Sequence, residues 1–269
     1  MYMAKLSPIT SMTDAFSVKG LNVIVTGGNR GIGLGISTAF AQSGANVAIL
    51  CRNKESGEKA AKELGQYGTR CIGIQCDTSD PGSVKNAVAR VIEAFGTVDV
   101  LVNNAGVSTV TKFLDDKNLA EWHRVINTNL HGPANMIYEV LPHMIKAGKG
   151  GSVINISSIG GQSVGGSKHH PKAAYHASKA GLEMLTKALA VEYGKNGIRF
   201  NAIEPGPTHS DLDKDLPPEA FQQIENDMPM SRFAEPIEIG ALCVFLATHA
   251  ANQITGAVYV HDGGLVLGG

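Results

Sequence analysis

The chain has 269 residues, 43% of them hydrophobic, with 32 glycines, 11 prolines and a formal charge of -1. Such a length and apolar content can bury a substantial core and exclude a low-complexity chain. The near-zero charge gives no electrostatic reason to expect a nucleic-acid partner.

The first twenty residues, MYMAKLSPITSMTDAFSVKG, lack the continuous apolar stretch of a secretory signal, and no later run reaches membrane-spanning length. The expectation is a cytoplasmic protein with no membrane partner, in which residues 1–15 form a loose extension ahead of one domain spanning 16–269. Short β-rich runs then alternate with stretches of helical period. LNVIVTG (21–27) precedes 31–43, NVAILC (46–51) precedes 54–66, and CIGIQCD (71–77) precedes 81–95. The alternation continues through VDVLVNN (98–104), a long helical stretch at 118–147, GSVINISS (151–158), a helix at 173–194, IRFNAIEPG (198–206), a helix at 236–249 and AVYVHDG (257–263). It predicts an α/β fold, a Rossmann-type doubly wound parallel sheet of about seven strands with helices on both faces. Residues 207–235 are polar and marked by prolines, and are expected to form a substrate flap within that one domain. Cys51, Cys71, Cys76 and Cys243 form no CxxC pair and each sits in or beside an apolar run, the pattern of buried, reduced thiols.

VIVTGGNRGIGLG places Gly27, Gly31 and Gly33 between the first strand and first helix, where backbone amides and the helix dipole can hold a pyrophosphate. The spacing departs from G-x-G-x-x-G, because Ile36 stands where glycine or alanine belongs. At the end of the second strand, where a carboxylate would bind an unmodified adenosine ribose, stand Cys51, Arg52 and Asn53. Arg52 and Arg30 could instead bind a 2'-phosphate by charge-assisted hydrogen bonds, so NADP(H) is the expected cofactor.

Tyr175 and Lys179 are four residues apart and share one face of the predicted helix. An ammonium beside a phenol favours the phenolate and brings the hydroxyl toward the working range of a general acid or base. Ser157 and Ser158 end the fifth predicted strand on the edge of the sheet that carries the glycine turn. A hydroxyl there could donate to a carbonyl oxygen as charge develops on it. His169, His170 and His176 lie close in sequence, but adjacent histidines point apart in an extended segment and no carboxylate or cysteine has ligand spacing with them, so no metal is expected. Segment 163–171, with His169 and His170, is expected instead to wall the substrate pocket.

With these residues in chain order, the sequence resembles the short-chain dehydrogenase/reductase family in its classical one-domain form, from about Phe16 to Gly264. The resemblance rests on TGGNRGIG (26–33), Cys76 and Asp77, NNAG (103–106), Asn129 within INTNL, INISS (154–158), Tyr175 to Lys179, NAIEPG (201–206) and ITGAVYVHDGG (254–264). It implies that Tyr175 is the acid or base, that Lys179 lowers its pKa and binds the nicotinamide ribose, and that Ser158 polarises the carbonyl. Asn129 would hold a local kink and a water linking Lys179 to solvent. Gly27, Asn29, Arg30, Gly31, Ile32 and Gly33 would surround the phosphates, with Arg52 and Asn53 at the 2'-phosphate. Asp77 and Thr78 would meet the adenine, Asn104 and Gly106 the ribose, and Pro205, Gly206 and Thr208 the nicotinamide.

Two departures stand out. Tyr175 follows Ser158 by 17 residues, a few more than is usual in the family, and Ser163 is the alternative serine. Glu204, beside the Pro-Gly turn, is an unusual carboxylate for an apolar strand end. The implied activity interconverts a ketone and a secondary alcohol, with sugar acids and polyols ranked first as substrates and oxoacyl thioesters or hydroxysteroids as alternatives. A non-catalytic NADP(H)-binding sensor and an epimerase or dehydratase are the readings in other classes. The resemblance also implies a homotetramer or dimer built on the two long helices.

Overall fold

The computed structural model describes residues 9–164, 172–209 and 218–267. The strands are β1 (Asn22–Thr26), β2 (Asn46–Cys51), β3 (Cys71–Gln75), β4 (Val100–Asn103), β5 (Gly151–Ile156), β6 (Ile198–Pro205) and β7 (Val258–His261). They form one sheet in the order β3-β2-β1-β4-β5-β6-β7, parallel throughout. The helices are α1 (Met12–Ala15), α2 (Gly31–Gln42), α3 (Lys54–Leu64), α4 (Pro81–Phe95), α5 (Ala120–Ile126), α6 (Gly132–Ala147), α7 (Ala173–Tyr193), α8 (Pro218–Asp227) and α9 (Pro236–Ala247).

The predicted α/β sheet is thus present, and its two apolar faces follow from the side-chain alternation of the strands. Val23 and Val25 of β1, Val47 and Ile49 of β2, and Val100 and Val102 of β4 pack with Ile36 and Phe40 of α2, Leu64 of α3 and Ile239 of α9. Ile24, Leu50 and Leu101 point the other way, toward Val84 and Val91 of α4 and Met136 and Val140 of α6. A sheet covered on both sides needs strands apolar on both faces. Each fully buried Val, Ile or Phe contributes about 1.5–3 kcal/mol.

The chain builds outward from β1 to β3, then crosses to the other side of β1 to lay down β4. Between β1 and β4 the connections diverge, which opens a crevice at the carboxyl ends of the strands, the place where ligands bind in open parallel sheets.

Three segments carry structure that the sequence expectation did not name. The helix expected at 118–147 is in pieces: Asn118 and Leu119 are left-handed (φ 56° and 55°), α5 follows, and a π turn at Asn127–His131 separates it from α6. Pro133 supplies the physical reason for the break, since it has no N–H to return to the carbonyl four residues back, that of Asn129. Within the stretch expected to be loose, Ser11 caps the short helix α1 and Ala15 is buried. The 207–235 segment carries α8 and is pinned at its base by a bridge between Thr208 and Ala234. Buried Met228 and Phe233 anchor its far side, and His209 and Phe221 pack on the Phe233 ring. The four cysteines are free thiols, with Cys71 only half-buried. Among the described residues no helix is long and apolar enough to cross a membrane.

Candidate active site

At the crevice, β1 turns into α2 through Gly27 (φ 65°) and Gly31 (φ 50°), left-handed positions that favour glycine. A Cβ on Gly33 would collide with the Gly27 carbonyl and the Asn104 amide, so the turn closes only with glycine there. Arg30 is the N-cap residue of α2 but makes no side-chain cap, and no acidic residue lies in the first turn. The opening amides, including those of Ile32 and Gly33, therefore present a positive dipole end, a cradle that fits the pyrophosphate of a dinucleotide.

Asn104 stitches this turn to β4 by donating from Nδ2 to the Thr26 carbonyl at 2.9 Å, while Thr26 Oγ1 accepts the Asn104 and Ala105 amides at 2.9 and 3.0 Å. Asn29 and Asn53 are partly committed elsewhere. Asn29 donates to Ser56 Oγ at 2.9 Å, and Asn53 caps α3 through the Ser56 amide at 2.7 Å. Arg52 lines a cavity of about 340 Å³ together with Gln75, Asp77, Ser83, Asn86 and Arg90. Arg90, on α4, is a second guanidinium at that cavity which sequence reasoning missed. The Ser79 hydroxyl bonded to Asp77 at 2.7 Å, with Arg52 nearby, holds the Asp77 carboxyl below its ordinary value. Thr78 is buried, and its carbonyl accepts from Asn135 at 3.0 Å.

On the other side of the crevice, α7 carries Tyr175 and Lys179. The Lys179 ammonium is 5.6 Å from the Tyr175 ring centroid and donates to the Ile156 carbonyl at 2.7 Å. Burial lowers the Lys179 ammonium to about 8, a fall that Glu183 opposes. A Cβ on Gly106 would sit 3.5 Å from Asn129 Oδ1 and 3.7 Å from Lys179 Nζ, which brings the NNAG turn against the same two groups. Asn129 is buried at the π turn. Its Oδ1 accepts the Val107 amide at 2.8 Å, and its Nδ2 donates to the Val107 carbonyl at 2.9 Å and to Ser178 Oγ at 3.2 Å. It thereby ties the loop after β4 to the Tyr175–Lys179 helix.

The three serines separate clearly. Ser157 is 3% exposed, and its hydroxyl donates to Glu183 at 2.5 Å, so it faces inward. Ser158 is half-buried and caps a short turn, its Oγ accepting the Gly160 amide at 3.0 Å and keeping its own proton to give. His176 fastens that turn to α7 through the Gly160 carbonyl at 2.7 Å. Ser163 is exposed beyond the turn. Ser158→Ala is expected to lower kcat for carbonyl reduction roughly 100-fold, the worth of one oxyanion donor, and Ser163→Ala to leave it unchanged; steady-state rates decide. An unaltered rate in Ser158→Ala removes Ser158 from the mechanism.

Pro205 is buried at the end of β6, the Gly206 amide donates to the His261 carbonyl at 3.0 Å, and Thr208 Oγ1 donates to the Gly206 carbonyl at 3.0 Å. His169, His170 and most of segment 163–171 lie outside the described residues. Sequence reasoning missed Glu183, although its spacing of four from Lys179 and eight from Tyr175 put it on the same helix face. Gln162, which donates to Glu204 at 2.7 Å, carried no sequence signal.

Residues 27–266 match the family described as enoyl-(acyl carrier protein) reductase. The chain is 40% identical over 257 residues to oxidoreductase UcpA of Salmonella typhimurium, covering 92% of this chain and 95% of that protein. It is 36% identical over 247 residues to the 3-oxoacyl-[acyl-carrier-protein] reductase FabG of Staphylococcus aureus, covering 91% and 98%. Among solved structures, a gluconate 5-dehydrogenase from Burkholderia cenocepacia in complex with NADP and tartrate superposes with a TM-score of 0.88 at 29% identity, covering 96% of this chain and 99% of that one.

Proposed function

The chain belongs to the short-chain dehydrogenase/reductase family of oxidoreductases, and on that premise we propose that it is an NADP(H)-dependent enzyme that interconverts a ketone and a secondary alcohol. The observation that carries this reading is that Asn129, bonded to Ser178, and the Ser158 turn, fastened through His176, both meet the helix of Tyr175 and Lys179, with Gly106 of the loop after β4 against Asn129 and Lys179. When bound, the nicotinamide supplies the hydride. The protein positions the carbonyl and moves the proton. Ser158 donates a hydrogen bond to the substrate oxygen. Tyr175 gives that oxygen its proton in reduction and takes it back in oxidation. Lys179 holds the nicotinamide ribose and keeps a positive charge beside the phenol. The Asn129 carbonyl, deprived of its helical donor by Pro133, holds the water that joins Lys179 to solvent.

Gly27, Asn29, Arg30, Gly31, Ile32 and Gly33 hold the phosphates, Asp77 and Thr78 the adenine, and Asn104 and Gly106 the ribose. Pro205, Gly206 and Thr208 wall the nicotinamide. Arg52 and Arg30, with Asn53, select the 2'-phosphate, and the absence of a carboxylate at the end of β2 supports NADP(H). In the Arg52→Ala variant, kcat/KM with NADPH is expected to fall roughly 30-fold, the scale of one charged hydrogen bond, while kcat/KM with NADH does not fall. Parallel losses with both cofactors contradict the assignment.

A sugar acid, polyol or similar small carbonyl compound is the proposed substrate class, supported by the neighbouring gluconate 5-dehydrogenase. The FabG relative favours a second reading, an oxoacyl thioester. A panel holding both classes of ketone, followed by loss of reduced-nicotinamide absorbance, separates them. Tyr138 on α6 and Met184 and Val191 on α7 are 77%, 64% and 86% exposed. These apolar side chains support a homotetramer or dimer that buries the two long helices.

A further inference from the structure

Behind the site lie two carboxyl groups that no step above employs. Glu183 of α7 is 8% exposed and Glu204 of β6 is 2% exposed, and the Glu183 carboxyl is near enough to push that of Glu204 upward. Glu183 also accepts the Ser157 hydroxyl at 2.5 Å, and Glu204 accepts the Gln162 amide at 2.7 Å. A Cβ on Gly161 would collide with the Glu183 carboxyl, so the serine turn packs directly on this pair.

Three pieces of the active site meet at this point. Glu183 belongs to the helix of Tyr175 and Lys179. Ser157, Gly161 and Gln162 flank Ser158 and its turn. Glu204 directly precedes Pro205 and Gly206. The buried charges in this region are one ammonium, Lys179, and three carboxyls, of which that of Asp262 is held by backbone amides. One proton on Glu183 and Glu204 reduces the excess of negative charge, and it also supplies the donor that a carboxyl-to-carboxyl hydrogen bond needs. The other charged groups that face Glu204 are Lys187, exposed on α7, and Asp262 after β7, whose carboxylate is taken by the Gly264 and Val266 amides at 2.8 Å each.

We propose that Glu183 and Glu204 share one proton and act as a positioning clamp, which holds the serine turn, the Tyr175–Lys179 helix and the nicotinamide wall in register. The positioning role rests on the reductase reading of the site, whereas the shared proton does not. Loss of the proton leaves two neighbouring buried like charges, which drive the three pieces apart.

Burial, followed by the neighbouring Glu183, pushes the Glu204 carboxyl from 4.5 up to about 8. Between those values the folded state holds more protons than the unfolded one, so stability is greatest below the unfolded value and is lost as pH rises toward about 8. Lys179 has the opposite sign, and its window, from about 8 to 10.5, lies above this one.

Glu204→Gln mimics the protonated acid, because its amide donates to Glu183 while its oxygen still accepts from Gln162. Between pH 5 and pH 8 the parent Tm is expected to fall roughly 5 °C further than that of Glu204→Gln. Over the same range and just above it, kcat of the parent declines more steeply than that of the variant. Glu183→Gln flattens the Tm slope as well, and serves if the first variant does not fold. Parallel Tm slopes in parent and variants overturn the shared proton. Divergent slopes with superimposable relative kcat curves overturn the positioning role. Divergent slopes in a protein that reduces no ketone with either cofactor sustain the shared proton and defeat the reductase reading instead.

Discussion

Tyr175→Phe is expected to lower kcat for ketone reduction roughly 1000-fold, within the range a positioned general acid supplies, while NADPH still binds. Only the hydroxyl is removed. The ring keeps its place on α7, half-buried beside Lys179 and His176, so the fold and the cofactor cradle stay as they are. KM for the ketone rises little, because the phenol works on the oxygen chiefly as its charge develops. Turnover assays, paired with titration of NADPH fluorescence, check both halves of the expectation. A loss under about tenfold assigns the proton to another group.

Lys179→Met is expected to cost roughly 1000-fold in kcat/KM and, unlike Tyr175→Phe, to weaken NADPH binding as well. The lysine stands where the two proposed tasks overlap. Its ammonium lies against the Tyr175 ring, beside Gly106, and it is fixed by the Ile156 carbonyl at 2.7 Å. Methionine fills the same volume and keeps the helix packed, but leaves that carbonyl unpaired, at a cost of about 1–3 kcal/mol. The sign of the pH effect follows from burial. The ammonium is charged below about 8 and neutral above it, so parent kcat/KM for reduction falls as pH rises through that value. The Lys179→Met variant loses that part of the pH dependence. Activity and NADPH affinity that both survive the substitution contradict the role given to Lys179.

Much of this arrangement could be read from the chain because its signals are local. Strand-like runs alternating with helical period dictate a parallel sheet, and the glycines between β1 and α2 mark a turn that only small residues can make. Tyr175 and Lys179 lie four apart on a single helix face, so their juxtaposition needs no tertiary information. The break in the helix at 118–147 is different. Its apolar period runs on without interruption, and the local signs of the π turn are Pro133, four residues after the carbonyl it cannot serve, and Asn129, where the family resemblance implies a kink. Helix α8 was hidden in the same way by the polar, proline-marked sequence of residues 207–235.

Groups that meet through the sheet left no such trace. Glu204 stood out as a carboxylate in an apolar strand, yet its partner Glu183 lies 21 residues earlier, and the two come together only when α7 is laid on β6. Gln162 reaches Glu204 across 42 residues, and Arg90 meets Arg52 at one cavity only because α4 runs beside β3. Asn29 and Asn53 illustrate the converse. Their place in the sequence marks them for the cofactor, while the fold also employs both to secure the start of α3 at Ser56.

The most direct test of the account is the rate at which the purified protein consumes reduced nicotinamide with a panel of sugar-acid, polyol-derived and oxoacyl thioester ketones, run in parallel with NADPH and NADH and repeated with Tyr175→Phe. The expected result is NADPH-dependent formation of one secondary alcohol per cofactor oxidised, little rate with NADH, and near-complete loss in the variant. A clear preference for NADH, or a rate that Tyr175→Phe leaves intact, would contradict it.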